Sequence, residues 1–221
     1  MLFNSAAFLL FFAALVVVHY AVPHRFRWLL LLAASLYFYA SFNAAHVLLL
    51  VGCAVVAWLG GFAIDKASTK SAKRWWLVGG IVVSLLPLVI FKYTDFALAQ
   101  YTALTADADT APPQLGWALP AGLSFYSFSC VSYLIDVYRG ELATEKHFGR
   151  LALYVAFFPK LLAGPIERAK SFLPQLNHAV RFDGTAVASG LQLMLWGLFK
   201  KVVIADRLAP FVDAGFNNPE L

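Results

Sequence analysis

The feature that most constrains this chain is an apolar stretch at residues 28–64 that contains no Asp, Glu, Lys or Arg. As one helix it would be about 55 Å long, whereas the hydrocarbon core of a bilayer is about 30 Å thick. The stretch therefore has to turn back on itself, and we expect the turn at the polar residues 41–43. The whole chain is 61% hydrophobic and only 13% charged, so it belongs to the integral membrane class rather than to the soluble one.

Apolar runs of suitable length predict an all-α fold, a polytopic membrane helical bundle that forms a single membrane domain over residues 1–221. The predicted spans lie near 3–22, 28–39, 44–64, 75–91 and 119–138, followed by a broken segment at 151–166 and a helix at 185–216. The broken segment is too short to cross a bilayer and contains Pro159, Gly164 and Pro165. We expect it to be re-entrant or in-plane, beside a cavity, because irregular backbone at membrane depth needs protein or water to satisfy it.

Charge between the spans predicts the orientation. The basic loops 23–27 and 65–74 fall on one side, and the positive-inside rule makes that side cytoplasmic, with the N-terminus outside. The predicted loop at 92–117, which carries Asp95, Asp107 and Asp109, would then be external.

The same charges argue against a nucleic-acid partner. The formal charge is +5, but the basic residues lie between apolar runs rather than on one polar face. Cys53 and Cys130 each lie inside an apolar run, which favours buried thiols over a disulfide or a metal site. No dinucleotide-binding, phosphate-loop, zinc or serine-hydrolase motif is present.

Asp136 is the most informative ionisable residue because a carboxylate within an apolar segment faces a bundle interior or cavity and takes a partner. Arg139, three residues later on the same helix face, is the expected mate. An equal alternative is that both side chains snorkel at a cytoplasmic helix end. Lys160, Glu167 and Arg168 raise the same question, and their place beside the broken segment favours a cavity lining.

Five ordered blocks of sequence resemble the membrane-bound O-acyltransferase (MBOAT) family, and within it the bacterial alginate O-acetyltransferase branch. They are LPAGLSFYSF at 119–128, YLIDVYRG at 133–140, FFPKLLAGPI at 157–166, FLPQL at 172–176 and GLFKKVVIAD at 197–206.

The resemblance implies a multi-pass protein of the bacterial inner membrane, with a funnel through its helical bundle. An acyl group, in this branch acetyl, would pass from a cytoplasmic thioester such as acetyl-CoA to hydroxyls of an extracytoplasmic polysaccharide such as alginate, with the help of an extracytoplasmic acetyl-transfer partner protein. No bound cofactor is implied.

The family's signature histidine comes after the region matched here, and none of the five histidines aligns with it. No catalytic residue is therefore carried over. The chain is expected to be the N-terminal portion of a longer protein and to be inactive alone. Seven residues match motif positions around the cytoplasmic and re-entrant layer and are candidates for substrate binding as funnel lining: Asp136, Arg139, Pro159, Gly164, Pro165, Glu167 and Arg168.

Two other functions remain open on the residues alone. A transporter or channel fragment would also use a broken helix with charge at membrane depth, although it predicts a second, symmetry-related broken segment, which the sequence does not show. A purely structural membrane scaffold would leave Asp136 and Lys160 without a role.

Overall fold

The computed structural model describes residues 1–105 and 116–217, and over these residues the chain is helical with no β-strand. The predicted all-α fold is confirmed. The helices are α1 (Ala6–Ala21), α2 (His24–Ala40), α3 (Ala44–Lys66), α4 (Lys70–Thr105), α5 (Leu123–Tyr138), α6 (Phe148–Ala156), α7 (Phe158–Leu161), α8 (Ala169–Phe172), α9 (Gly184–Phe199) and α10 (Asp206–Asn217). Asp107 and Asp109 of the predicted external loop lie outside the described residues.

In the part of the chain that the structure describes, three helices are long and apolar enough to cross a membrane: Ala44–Lys66, Lys70–Thr105 and the continuous stretch Gly184–Phe216. Helix α1 is apolar but shorter. The turn expected at 41–43 separates α2 from α3, and the Asn43 side chain caps α3 by accepting a hydrogen bond from the amide of Ala45 at 2.9 Å.

Helix α4 is longer than the predicted span at 75–91, and the predicted loop beginning at residue 92 is wrong as far as Thr105. At its start, the Thr69 hydroxyl accepts a hydrogen bond from the amide of Ala72 at 3.1 Å. In its second half, the hydroxyls of Thr94 and Thr102 donate to carbonyls four residues earlier, so these polar side chains are satisfied within the helix. The helix extends beyond the end of the apolar run, to Thr105.

Residues 23–179 form one compact unit, with α3, α4 and α5 packed together at its centre. Leu134 of α5 is wholly buried where these three helices meet. A Cβ atom at Gly60 of α3 or at Gly80 of α4 would lie 2.9 Å from a methyl carbon of Leu134. The absence of a side chain at these two positions lets the helices approach closely, as in other membrane bundles.

A helical hairpin at residues 148–168 packs onto this centre. Helix α6 rises along α2 and α3 and begins beside Trp58. At the tip, the amide of Phe158 lies 3.3 Å from the Ser35 hydroxyl of α2, and Leu161 lies against Gly122 at the start of α5. The chain then returns to the far end of α5, so that the hairpin enters and leaves at the same end of the bundle.

The predicted broken segment at 151–166 corresponds to this hairpin. The helix breaks at Phe157, and Pro159 lies in the first turn of α7, where its missing amide hydrogen costs nothing. Residues 162–168 return without helical structure. That this hairpin dips into a bilayer stays a prediction.

The second compact unit comprises residues 1–22 and 180–217. Its long helix runs through α9, a π-helical turn at Lys200–Ala205 and α10, and Lys201 forms an ion pair with Asp206 across that turn. The rings of Tyr20 and Phe182 contact at 5.3 Å. No residue of the apolar stretch Gly184–Phe216 is buried.

Candidate functional site

A buried ion pair joins the end of α5 to the returning arm of the hairpin, residues 162–168. The Asp136 side chain is wholly buried, and its Oδ1 lies 2.9 Å from Nη2 of Arg168, whose own side chain is 41% exposed. Neither carboxylate oxygen accepts a hydrogen bond from the part of the chain that the structure describes. The negative charge of Asp136 is therefore compensated by the positive charge of Arg168. A carboxylate in this position is costly without such a partner.

The predicted pairing of Asp136 with Arg139 is wrong. The Arg139 side chain is 58% exposed and its guanidinium lies 3.9 Å from the carboxylate of Glu141 instead. The reason is that α5 ends at Tyr138, so Arg139 caps the helix and points into solvent, while the hairpin's returning arm brings Arg168 to the buried carboxylate.

Glu141 extends the pair into a charged cluster. Gly140, in the left-handed conformation at φ +70°, ends α5, and the amide of Glu141 donates back to the carbonyl of Asp136 at 3.0 Å. The Glu141 carboxylate then accepts hydrogen bonds from Lys170 at 2.7 Å and from Arg168 at 3.2 Å. The hydrogen bond from Lys170 is the main cause that lowers the pKa of Glu141 below its ordinary value.

Aromatic rings hold the interior of the hairpin. The Lys160 ammonium lies 3.7 Å from the ring centre of Tyr154 and 5.0 Å from that of Phe172, both of which are buried. The Tyr154 hydroxyl donates to the backbone carbonyl of Glu167 at 2.9 Å. The hydrogen bond from Tyr154 ties α6 to the returning arm. The faces of the two rings stabilise the lysine cation.

A groove of about 510 Å³ lies along α5 beside the returning arm. Its lining is mostly apolar, with one hydroxyl and two guanidinium groups: Phe128, Val131, Ser132, Ile135, Arg139, Ile166 and Arg168. An open apolar groove with two arginines at one end suits a molecule with an apolar or neutral arm and an anionic end.

The structure brings together some of the predicted site residues and separates others. Asp136 and Arg168 contact each other, and Arg139 and Arg168 share the groove. Glu167 contributes its backbone carbonyl to the hairpin through Tyr154. The other three residues are exposed in the hairpin: Pro159 lies in the first turn of α7, and Gly164 and Pro165 lie in the non-helical returning arm.

Two members of the cluster were missed by sequence reasoning. Glu141 and Lys170 are exposed loop and helix residues flanked by other polar side chains, so no pattern distinguishes them. Only the return of the hairpin brings them to 2.7 Å of each other. Among residues 1–105 and 116–217, no group of three His, Cys, Asp or Glu side chains is placed to hold a metal ion.

Comparison with known proteins shows relatives along nearly the whole chain. It is 38% identical to "Probable alginate O-acetylase AlgI" of Azotobacter vinelandii over 98% of this chain and 44% of the relative. For the protein of the same name in Pseudomonas aeruginosa the identity is also 38%, over 98% of this chain and 42% of the relative. A "Peptidoglycan O-acetyltransferase" of Helicobacter pylori is 32% identical over 98% of this chain and 47% of the relative.

The chain thus spans less than half the length of these curated relatives. No family model matches the sequence. No solved structure is significantly similar to it. The relatives nevertheless match 98% of this chain, and their names agree with the family that the five sequence blocks resemble. The chain therefore belongs to the membrane-bound O-acyltransferase family, in the branch of the alginate O-acetylases.

Proposed function

We propose that the protein is a membrane O-acetyltransferase that passes an acetyl group from a cytoplasmic thioester, such as acetyl-CoA, to hydroxyls of an extracytoplasmic polysaccharide such as alginate. The observation that carries the proposal is the similarity to proteins named alginate O-acetylase and peptidoglycan O-acetyltransferase over 98% of the chain. The protein would work in the bacterial inner membrane with its N-terminus outside, together with an extracytoplasmic acetyl-transfer partner protein.

The groove along α5 supports a role for this chain in receiving the donor. An acyl thioester of this kind combines a long neutral arm with an anionic end, and the groove combines apolar walls with Arg139 and Arg168. We assign Arg139 to the anionic end, because its side chain is more exposed and its one ion pair is long at 3.9 Å. Arg168 would mainly position the returning arm, because it is engaged by Asp136 and Glu141.

The acid or base of the reaction is not assigned to a residue of this chain. We propose that it is a histidine in the region of the family that follows the part matched here. A positioned general base of this type contributes about 10² to 10⁴-fold to the rate.

The test is complementation. The complete gene product is expressed in an Azotobacter vinelandii strain that lacks its own AlgI, and the acetyl ester content of the alginate is measured by hydroxylamine assay and NMR. We expect acetyl esters to return. A protein that accumulates in the membrane and yields ester on neither alginate nor peptidoglycan would contradict the proposal, and ester on peptidoglycan alone would contradict the alginate acceptor.

A second measurement separates acyl transfer from transport. Membranes carrying the protein and its partner are given labelled acetyl-CoA, and label in ester linkage to polysaccharide is counted. Passage of label across the membrane without ester formation would favour the transporter alternative.

The same assay tests the role of Arg139. Arg139→Gln should raise the KM for the donor about tenfold with little change in kcat, because the residue would bind the part of the donor that does not react.

A further inference from the structure

The basic turn between α3 and α4 is a cluster of positive charge that the candidate site does not use. It contains Lys66, Lys70, Lys73 and Arg74, against the single acid Asp65. None of these four cations forms an ion pair with a residue that the structure describes. By contrast, the cations at the end of α5 are paired with Asp136 and Glu141. This turn therefore carries four cations without an ion-pair partner within nine residues of sequence.

The first turns of α4 present this charge together with aromatic rings. Ser71, Arg74, Trp75 and Val78 line one depression on the helix surface, and their spacing of three and four residues places them in one stripe. The side chain of Trp75 is 74% exposed. Tryptophan beside a basic group is typical of the headgroup layer of a membrane, where the ring lies between apolar chains and water.

The apolar part of the same stripe continues along the helix. Val78, Val82, Leu86 and Val89 follow Trp75 at helical spacing, and all are exposed. The face is thus apolar along about four turns and ends in a hydroxyl, an arginine and a lysine. Its polarity matches that of a phospholipid, with acyl chains along the valines and a headgroup at Arg74.

We propose that the α4 face formed by Ser71, Arg74, Trp75 and Val78 is a binding site for an anionic phospholipid. The Arg74 guanidinium and the Ser71 hydroxyl would donate to the phosphate, and Lys70, one turn before Arg74, would add a second positive charge. The excess of unpaired cations distinguishes an anionic lipid from a zwitterionic one, because net charge supplies the preference. The site is independent of the proposed acyl transfer and lies on the helix that follows the basic turn.

The test uses the complete protein in nanodiscs that contain phosphatidylcholine with a minor fraction of brominated phosphatidylglycerol, or of brominated phosphatidylcholine. Bromine quenches tryptophan fluorescence at contact, so quenching that Trp75→Phe removes reports the occupancy of this site. We expect brominated phosphatidylglycerol to quench the Trp75 component at a lower fraction than brominated phosphatidylcholine. Equal quenching by the two lipids would overturn the proposal.

Charge variants make the test specific. Lys70→Gln with Arg74→Gln should weaken the preference for phosphatidylglycerol by about tenfold or more. Lys92→Gln, which removes a cation from the second half of the same helix, is the matched control and should leave the preference unchanged. Arg74→Lys keeps the charge and should retain most of the preference, which covers the case in which the double variant folds poorly.

Three further outcomes would count against the site. A preference that persists in the double variant would show that the basic turn does not create it. A preference lost equally in Lys92→Gln would show a general effect of net charge. Displacement of phosphatidylglycerol by soluble acetyl-CoA would assign the positive charge to the donor rather than to a lipid.

Discussion

At the scale of single residues, the environment of Asp136 departs most from what its neighbours in sequence indicate. The two members of its ion pair are unequal, because the carboxylate is wholly buried whereas the Arg168 side chain is 41% exposed and also contacts Glu141. The cost of removing one partner therefore depends on which charge is left unpaired. An arginine near the surface can turn to water, but a buried carboxylate cannot.

We accordingly expect Arg168→Met to destabilise the protein by about 3 to 5 kcal/mol and Asp136→Asn by clearly less. The double variant should recover part of the loss from Arg168→Met, since no uncompensated charge remains. Arg139→Ala is the matched control and should cost less than about 1 kcal/mol, with no coupling to Asp136. Denaturant unfolding of the complete protein in detergent measures these values, and strict additivity of the Asp136 and Arg168 effects would contradict the pairing.

Glu141 predicts a pH dependence of known sign. Its pKa is lowered in the folded protein from the ordinary value of 4.5, chiefly by the hydrogen bond from Lys170, so the ionised form stabilises the fold. That contribution is present above about pH 4.5 and is lost as the pH falls through the folded pKa. The melting temperatures of the wild type and of Glu141→Gln should therefore differ at pH 7 and converge towards pH 3.

A background variant tests the cause of this shift. In Lys170→Met, the difference between Glu141 and its Gln variant should shrink at pH 7, because the main donor to the carboxylate is gone. An undiminished difference would show that Lys170 does not lower the pKa of Glu141.

At the scale of elements, the hairpin at 148–168 depends on one close approach at its tip. Gly122, which immediately precedes α5, has φ +70°, and a Cβ there would lie 2.3 Å from the carbonyl oxygen of Leu161. Any side chain would push the tip of the hairpin away from α5. Gly140 at the other end of α5 has the same φ but nothing within 4 Å of its Cβ position.

This contrast supplies a matched pair of variants. Gly140→Ala should cost about 1 to 2 kcal/mol, the backbone cost of a left-handed alanine. Gly122→Ala should cost more, because the same backbone cost is joined by a steric clash with backbone. Unfolding of both variants, together with protease accessibility of residues 157–166, measures the difference, and equal stabilities would show that the hairpin tip yields without cost.

At the scale of the whole molecule, the arrangement of helix ends bears on orientation. The start of α2, the end of α3 and the start of α4 carry the basic residues, and the hairpin enters and leaves beside the end of α5 in the same unit. The proposed orientation puts this end in the cytoplasm. Ala118, before α5, would then lie outside.

Cysteine labelling in intact cells tests the orientation. Ser71→Cys should be protected from an impermeant maleimide until the cells are permeabilised, whereas Ala118→Cys should react at once. The native thiols of Cys53 and Cys130 are buried and should give little background. Reaction of Ser71→Cys in intact cells with protection of Ala118→Cys would reverse the topology.

What the sequence determined by itself is the class of protein, its helices and its family. Apolar runs of about 20 residues specify helices because backbone groups without water must pair within their own segment, and the turn at 41–43 and the break before Pro159 follow from local polarity and proline geometry. The ends of helices were harder to predict: α4 continues past its predicted end as far as Thr105, with the hydroxyls of Thr94 and Thr102 donating to carbonyls of the helix itself.

Only the tertiary structure decided the partners within the site. Sequence spacing predicted that Asp136 pairs with Arg139, because residues three apart lie on the same face of a helix. The structure instead pairs Asp136 with Arg168, since the hairpin folds back along α5 and the helix ends one residue before Arg139. A contact between residues so far apart along the chain depends on the close approach at Gly122 and on the packing of the whole hairpin, and no local pattern carries that information.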